Sequence, residues 1–197
     1  MRASRKISLA AVLLLGAVAA SAQVSPTASG GPAGAVPISS LIATVAQKTG
    51  KKFVLDPRVR ASVALVGEDP ASVTYDQLLA ILDTYGFAAI DTAGYVRVVP
   101  NAAVREEPLP LVSADETRPA DEYVAAVIHV RSLPAAWLVP ILRPMVPQWG
   151  HLVAMPCDNS LVIVDRFASV RLLESIVKAL DTGAPVRPQT CSPRPLQ

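Results

Sequence analysis

Apolar side chains at Ile38, Leu41, Ile42, Val45 and Ala46 recur three and four apart, and Gly50 follows them. That spacing predicts an amphipathic helix ending near Thr49, with the glycine as its C-terminal cap. The rhythm then shortens. "KKFVLDP" reads as a strand closed by Asp56-Pro57, and "ASVALVGEDP" as a second one bounded by Gly67 and Pro70. A second helix opens with Thr74 and Gln77 at capping-box spacing, carries Tyr75, Leu78, Leu79, Leu82 and Tyr85 on one stripe, and ends at Gly86. "FAAID" and "YVRVVP" flank Thr92-Ala93-Gly94, the composition of a three-residue hairpin loop, and Pro100 stops the pairing. Residues 38–100 therefore form one module. The stretch 101–120, "NAAVREEPLPLVSADETRPA", has three prolines, several acids and no sustained period, which predicts an extended connector.

A second module, 121–181, opens with "EYVAAVIHVRSL", in which Val124, Ala126, Ile128 and Val130 share one face of a strand. Pro134 suits the first turn of a helix whose apolar stripe is Trp137, Leu138, Ile141, Leu142 and Met145, with Pro140 inside it as a bend. "GHLVAMP" and "SLVIVD" read as a hairpin around Cys157-Asp158-Asn159. Asp165 is placed to cap a final helix that faces the sheet with Val170, Leu173, Ile176, Val177 and Leu180. The class is α+β, with two small two-layer domains. The second is a KH-like strand, helix, strand, strand, helix module without the Gly-x-x-Gly loop by which KH modules clamp RNA.

The ends of the chain carry different signals. Arg2, Arg5 and Lys6 precede an apolar run from Ile7 to Ala20, too short to span a membrane, and Ala20-Ser21-Ala22 is a small-x-small cleavage pattern. Residues 1–22 therefore read as a secretory signal peptide cut between Ala22 and Gln23, and the rest of the chain offers no transmembrane segment. Residues 23–37 and 182–197 are rich in Pro, Gly and small residues and are expected to be disordered. The leader holds three of the 18 Lys and Arg and none of the 16 acids, leaving 15 bases against 16 acids. The mature chain is near neutral and has no basic stripe, which excludes nucleic acid as a partner class.

Candidate chemistry is sparse. His129 and His151 are the two histidines, and neither stands at zinc-ligand spacing; a metal carrier or small enzyme using His151, Cys157 and Asp158 is the weaker alternative. No nucleophile elbow, paired zinc histidines or phosphate loop occurs, so no catalytic, metal or cofactor residue is assigned. Cys157 and Cys191 fit two readings, a disulfide favoured by an oxidising compartment or a pair of free thiols. Trp137 reads as core, whereas Trp149, between Pro147 and Gly150, reads as an exposed partner contact.

"VAQKTGKKFVLDPRVRASVAL", "YDQLLAILDTYGFAAI" and "YVRVVP" resemble the first periplasmic N-terminal domain of type II secretion secretins. The run from "VIHVRSLPAAWLVPILRP" through "NSLVIVDRF" to the helix ending in Leu-Asp resembles the next secretin domain. The resemblance implies a non-enzymatic periplasmic interaction module with no cofactor. Its partners would be a secretin or the inner-membrane platform, possible self-association included. A related secretin system, such as that of type IV pili, is the alternative in the same class. The family's further ring domain and outer-membrane barrel are not recognisable here, so a truncated, secretin-like component is expected.

Overall fold

The computed structural model describes residues 34–113 and 115–186; the expected leader and its expected cleavage pair Ala22 and Gln23, and Cys191, lie outside the described residues. The segment expected to be disordered through residue 37 ends in a strand. β1 (Val36–Pro37) leads directly into α1 (Ile38–Thr49) and pairs antiparallel with β3 (Ser62–Val63). A two-residue edge strand tolerates Pro37 because the missing amide sits at its end, and the Ile38 amide resumes bonding to Ala61 O at 3.0 Å. β2 (Phe53–Leu55) joins a different sheet, running parallel to β5 (Tyr95–Pro100), which pairs antiparallel with β4 (Phe87–Thr92). The two strands expected between the helices thus never pair with each other.

α1 ends at Gly50, whose φ of 69° is the left-handed cap, with its amide bonded to Ala46 O. α2 (Tyr75–Thr84) begins in the expected capping box: Gln77 N donates to Thr74 Oγ1, and Thr74 N donates to Gln77 Oε1 at 2.7 Å. The β4–β5 loop is one residue tighter than expected. Thr92 pairs with Tyr95, and Ala93 (φ 49°) and Gly94 (φ 85°) alone make the turn, both with the positive φ that a two-residue turn of matching twist requires. Leu41, Ile42, Val45, Leu78, Leu82 and Val98 close the first core.

Residues 101–120 are not the extended connector expected. Asn101–Glu106 coil into a 3-10 turn that buries Asn101 and Val104, and β6 (Leu111–Val112) lies parallel to β7 (Tyr123–His129). β7 and β8 (His151–Met155) both run antiparallel to β9 (Ser160–Arg166), giving the order β6-β7-β9-β8. α3 (Ala135–Leu142) and α4 (Phe167–Leu180) pack on one face of this sheet. Their Leu138, Leu142, Val170, Leu173 and Val177 meet Val124, Ala126, Ile128, Leu161 and Ile163. The strand, helix, strand, strand, helix order stands, with β6 as an added edge.

Two expectations in this lobe change. Pro140 cannot donate to the carbonyl one turn back, and α3 stops at Leu142, with Arg143–Met145 continuing as a 3-10 turn. Asp165 does not cap α4. The N-cap is Arg166, with no side-chain cap, while Asp165 is wholly buried and accepts from the Arg166 amide at 2.7 Å. The tail is also ordered at first: residues 182–186 fold back, and the Val186 amide donates to Arg131 O at 2.7 Å.

Candidate interaction surfaces

The β4–β5 hairpin is apolar on both faces. Phe87, Ala89, Val96 and Val98 enter the first core, so the alternate residues Ala88, Ile90 and Val99 point the other way. They are buried against Val104 and Tyr123, with Leu109, Trp149 and Val164 at the margin. This second cluster joins the lobes. Trp149, expected to be exposed for a partner, is half-buried there.

A polar node lies beside it. Asp83, in the last turn of α2, accepts from Tyr123 Oη at 2.8 Å and Asn101 Nδ2 at 3.3 Å through Oδ1, and from Arg166 at 2.9 Å through Oδ2. The Arg166 guanidinium also reaches Asp121 at 3.5 Å. Burial, followed by the bond to Asp83, pushes the Tyr123 phenol far above its ordinary range, so it stays a donor. Burial likewise raises the Asp165 carboxyl, against the Arg166 amide and charge that lower it. Asn101 Oδ1, Asp165 Oδ2 and Arg166 Nε are buried without a hydrogen-bond partner among the described residues. None of these residues was singled out as functional from the sequence. The available signal was Asp83 itself, because an acid at a helix C-terminus opposes the macrodipole unless a cation meets it.

At the opposite end of β7, two side chains hold the loop that launches α3. Asn159, buried with φ 50°, accepts from Ala135 N at 2.8 Å and donates to Val130 O at 2.6 Å and Leu133 O at 2.9 Å. Asp181 accepts from the Arg131 amide at 2.8 Å and the Ser132 hydroxyl at 2.6 Å. For Asp181, burial pushes upward but is outweighed by the Ser132 and Arg131 hydrogen bonds, which hold the carboxyl below its usual range. Asn159, which opens "NSLVIVDRF", and Asp181, the Asp of the terminal Leu-Asp, are thus loop locks.

With that loop fixed, α3 turns Ala135, Leu138 and Leu142 inward and leaves Trp137 and Ile141 outside, at 68% and 60% exposure, and the 3-10 turn that follows leaves Met145 outside at 45%. The expected single stripe is two faces. Trp137, read from sequence as core, tops an uncharged ridge with Pro140, Ile141 and Met145 at successive turns. A helix apolar on all sides is normally covered on all sides. On the far side of the lobe, the helix-free face of the sheet is apolar as well. Val127, Val162 and Val153 stand in one cross-strand row, with Leu111 and Met155 nearby, and all but Val162 are exposed large hydrophobics.

The residues weighed for chemistry do not converge on a reactive centre. His129 Nδ1 shares a 2.8 Å hydrogen bond with Ser160 Oγ, but Ser160 is buried and closed to substrate. An open groove of ≈ 570 Å³ between β7 and α4 is lined by His129, Arg131, Glu174, Lys178 and Asp181, and Asp181 is committed to the loop lock. Among the described residues no group of three or more His, Cys, Asp and Glu is placed to hold a metal. His151 is exposed on β8 and Asp158 is exposed in the turn, where Cys157 is half-buried.

Residues 34–98, the first lobe, match the model of the GspD-like N0 domain. The chain is 35% identical over 146 residues to the secretin XcpQ of Pseudomonas aeruginosa, covering 73% of this chain and 21% of that protein. It is 30% identical over 151 residues to the putative secretin GspD of Escherichia coli K12, covering 73% of this chain and 23% of that one. The two lobes are secretin N-terminal domains. Alignments of this length cannot be confined to the first lobe, so the secretin likeness extends across the joint. A solved Klebsiella pneumoniae type II secretion outer-membrane complex of PulD, PulS and the PulC HR domain contains a similar fold. It is 28% identical with a TM-score of 0.64, covering 75% of this chain and 26% of that one. The chain spans about a fifth of the length of the curated secretins it matches. Among the described residues no helix is long and apolar enough to cross a membrane.

Proposed function

We propose that this chain is a non-enzymatic, periplasmic protein–protein interaction module of a type II secretion apparatus. In this reading the joint fixes the two lobes as one platform, and the second lobe docks neighbouring secretin N-terminal domains. The observation that carries it is the uncharged α3 ridge of Trp137, Ile141 and Met145, held in water on a loop locked by Asn159 and Asp181. Exposed apolar patches of this kind mark association sites. The helix-free sheet face gives a second apolar surface on the same lobe. A ridge meeting the sheet face of the next copy is a head-to-tail contact, the kind that closes into rings. The first lobe, as an N0 domain, is assigned the inner-membrane side of the machine; the presence of the PulC HR domain in the Klebsiella complex supports that assignment.

The test is co-purification from cells that make the apparatus, comparing the unaltered chain with a Trp137→Glu/Ile141→Glu variant. Circular dichroism and thermal melting establish that the variant is folded. Recovery of secretin or platform proteins with the unaltered chain, and its loss in the variant, is expected. Equal recovery with both would remove the ridge from the account.

A further inference from the structure

From an open stretch of the β7 edge, we infer that the second lobe takes up an extended, acidic segment of a partner protein as an added strand beside Val127–His129. Along a strand, the backbone groups of successive residues turn to opposite edges. Those of Val124, Ala126 and Ile128 face β9, and the Val130 amide continues that series by donating to Asn159 O at 2.9 Å. Those of Ala125, Val127 and His129 face the other edge, where the Ala125 amide donates to Pro110 O at 2.9 Å.

That edge is closed at both ends and open between them. The parallel register of Leu111 with Ala125 and Val112 with Ala126 carries β6 as far as the Val127 amide. There the chain turns away, the Ser113 carbonyl accepting from the Glu116 amide at 3.2 Å. Arg131 takes up the same edge again: its amide donates to Asp181 at 2.8 Å, and its carbonyl accepts from the Val186 amide at 2.7 Å. Between these closures, the Val127 carbonyl and both His129 backbone groups make no hydrogen bond among the described residues. From Val127 to Arg131 the gap is about 13 Å long. An open edge of this kind is a template for strand addition.

Beside the gap lies the groove between β7 and α4, where Ile128 and Val177 are buried and Val127 is exposed. Its charges do not cancel. Glu174 is paired with Arg171 at 2.6 Å, and Asp181 is held by the Arg131 and Ser132 amides. The Arg131 guanidinium and the Lys178 ammonium enter no ion pair among the described residues, which leaves the groove two cations to offer. A strand continuing the line of β6 donates to the Val127 and His129 carbonyls and accepts from the His129 amide. The residues making those bonds turn their side chains to the helix face, the side of Lys178, and their neighbours turn to the side of Val127. Carboxylates at the first set and apolar side chains at the second complement the slot, so the partner is recognised by about four to six extended residues in which acids and apolar residues alternate. The slot lies at the β6 edge of the sheet, whereas α3 packs against β8 at the other.

The deciding experiment titrates the ¹⁵N-labelled exported protein with the synthetic peptide acetyl-Val-Asp-Val-Asp-Val-Asp-amide and follows backbone amide shifts. Saturable shifts centred on His129 are expected, absent with the same peptide N-methylated at its aspartates and with a version carrying lysine in place of aspartate. Arg131→Gln/Lys178→Gln, shown by thermal melting to be folded, should bind the peptide about tenfold more weakly. Trp137→Glu/Ile141→Glu should bind it as the unaltered chain does, which separates this slot from the α3 ridge. No shift at His129, or equal binding of the N-methylated peptide, would overturn the inference. So would binding that appears only after residues 187–197 are removed, which would give the gap to the chain's own end, or His129 shifts that grow with protein concentration alone, which would give it to a second copy.

Discussion

The phenol of Tyr123, at the start of β7, donates to Asp83 Oδ1 at 2.8 Å, tying the first strand of the central pair in one lobe to the end of α2 in the other. Arg166 closes on the same carboxylate at 2.9 Å from the end of β9, the partner strand of β7. One side chain of the first lobe thus holds two of the second. Asp83→Ala removes the acceptor from both and leaves the buried phenol unpaired, so it should destabilise the protein by about 2 kcal/mol. Tyr123→Phe, which spares the ion pair, should cost about 1 kcal/mol. Urea titration of the two variants checks the order.

Asp165 should make stability depend on pH in the direction opposite to most carboxylates. Burial raises its pKa in the folded state, so the folded chain binds its proton more tightly than the unfolded one. Its contribution is fully present below the unfolded carboxyl value and is lost as pH rises through the folded one. Asp165→Asn should therefore gain stability relative to the unaltered chain as pH goes from about 4 to 7. Melting temperatures of both proteins across that range provide the comparison, and parallel curves would contradict the assignment.

Asn159 is predicted to resist replacement for two separate reasons. Asn159→Ala loses three side-chain hydrogen bonds in a buried loop and keeps a positive φ that alanine tolerates poorly, at a cost of about 3 kcal/mol. Asn159→Asp retains the acceptor for Ala135 N but turns a carboxylate oxygen toward the carbonyls of Val130 and Leu133, and should be at least as damaging. Chemical denaturation separates these from Asn159→Gly, which relieves the backbone while losing the same bonds.

On the α3 ridge the expectation reverses. Trp137→Ser and Ile141→Ser should change the stability of the isolated chain by no more than about 0.5 kcal/mol, because both side chains are exposed. They should nevertheless lower its tendency to self-associate. Sedimentation across a concentration series, with thermal melts run alongside, checks both halves.

Much of the framework could be read without coordinates. The helical spacing around Leu41 and Val45, the Thr74–Gln77 box and the order of the second lobe follow from local chemistry, which is written in consecutive residues. What escaped depends on residues far apart. Val36 becomes a strand only because Val63 lies opposite it, and Val104 is buried only because the hairpin turns Ala88, Ile90 and Val99 outward. Trp137 was read as core and Trp149 as exposed, and their surroundings are the reverse. Periodicity marks apolar positions on α3 without saying which of them the sheet covers, and Trp149 packs against a cluster, Ala88, Ile90, Val99, Val104 and Tyr123, drawn from both lobes. The Asp83 node likewise joins residues 83, 101, 121, 123 and 166, a set no local window contains. Asp165 looked like a helix cap because it precedes α4, yet the strand runs straight into the helix and carries the carboxylate inside.

The claim that the second lobe works by docking is tested most directly by a photo-activated crosslinking residue at position 137 in cells assembling the secretion apparatus. The account predicts an adduct to a secretin N-terminal domain, mapping to residues equivalent to the Val127–Val162–Val153 row of a neighbour. An intact apparatus containing this chain, with position 137 yielding no protein adduct, would contradict it.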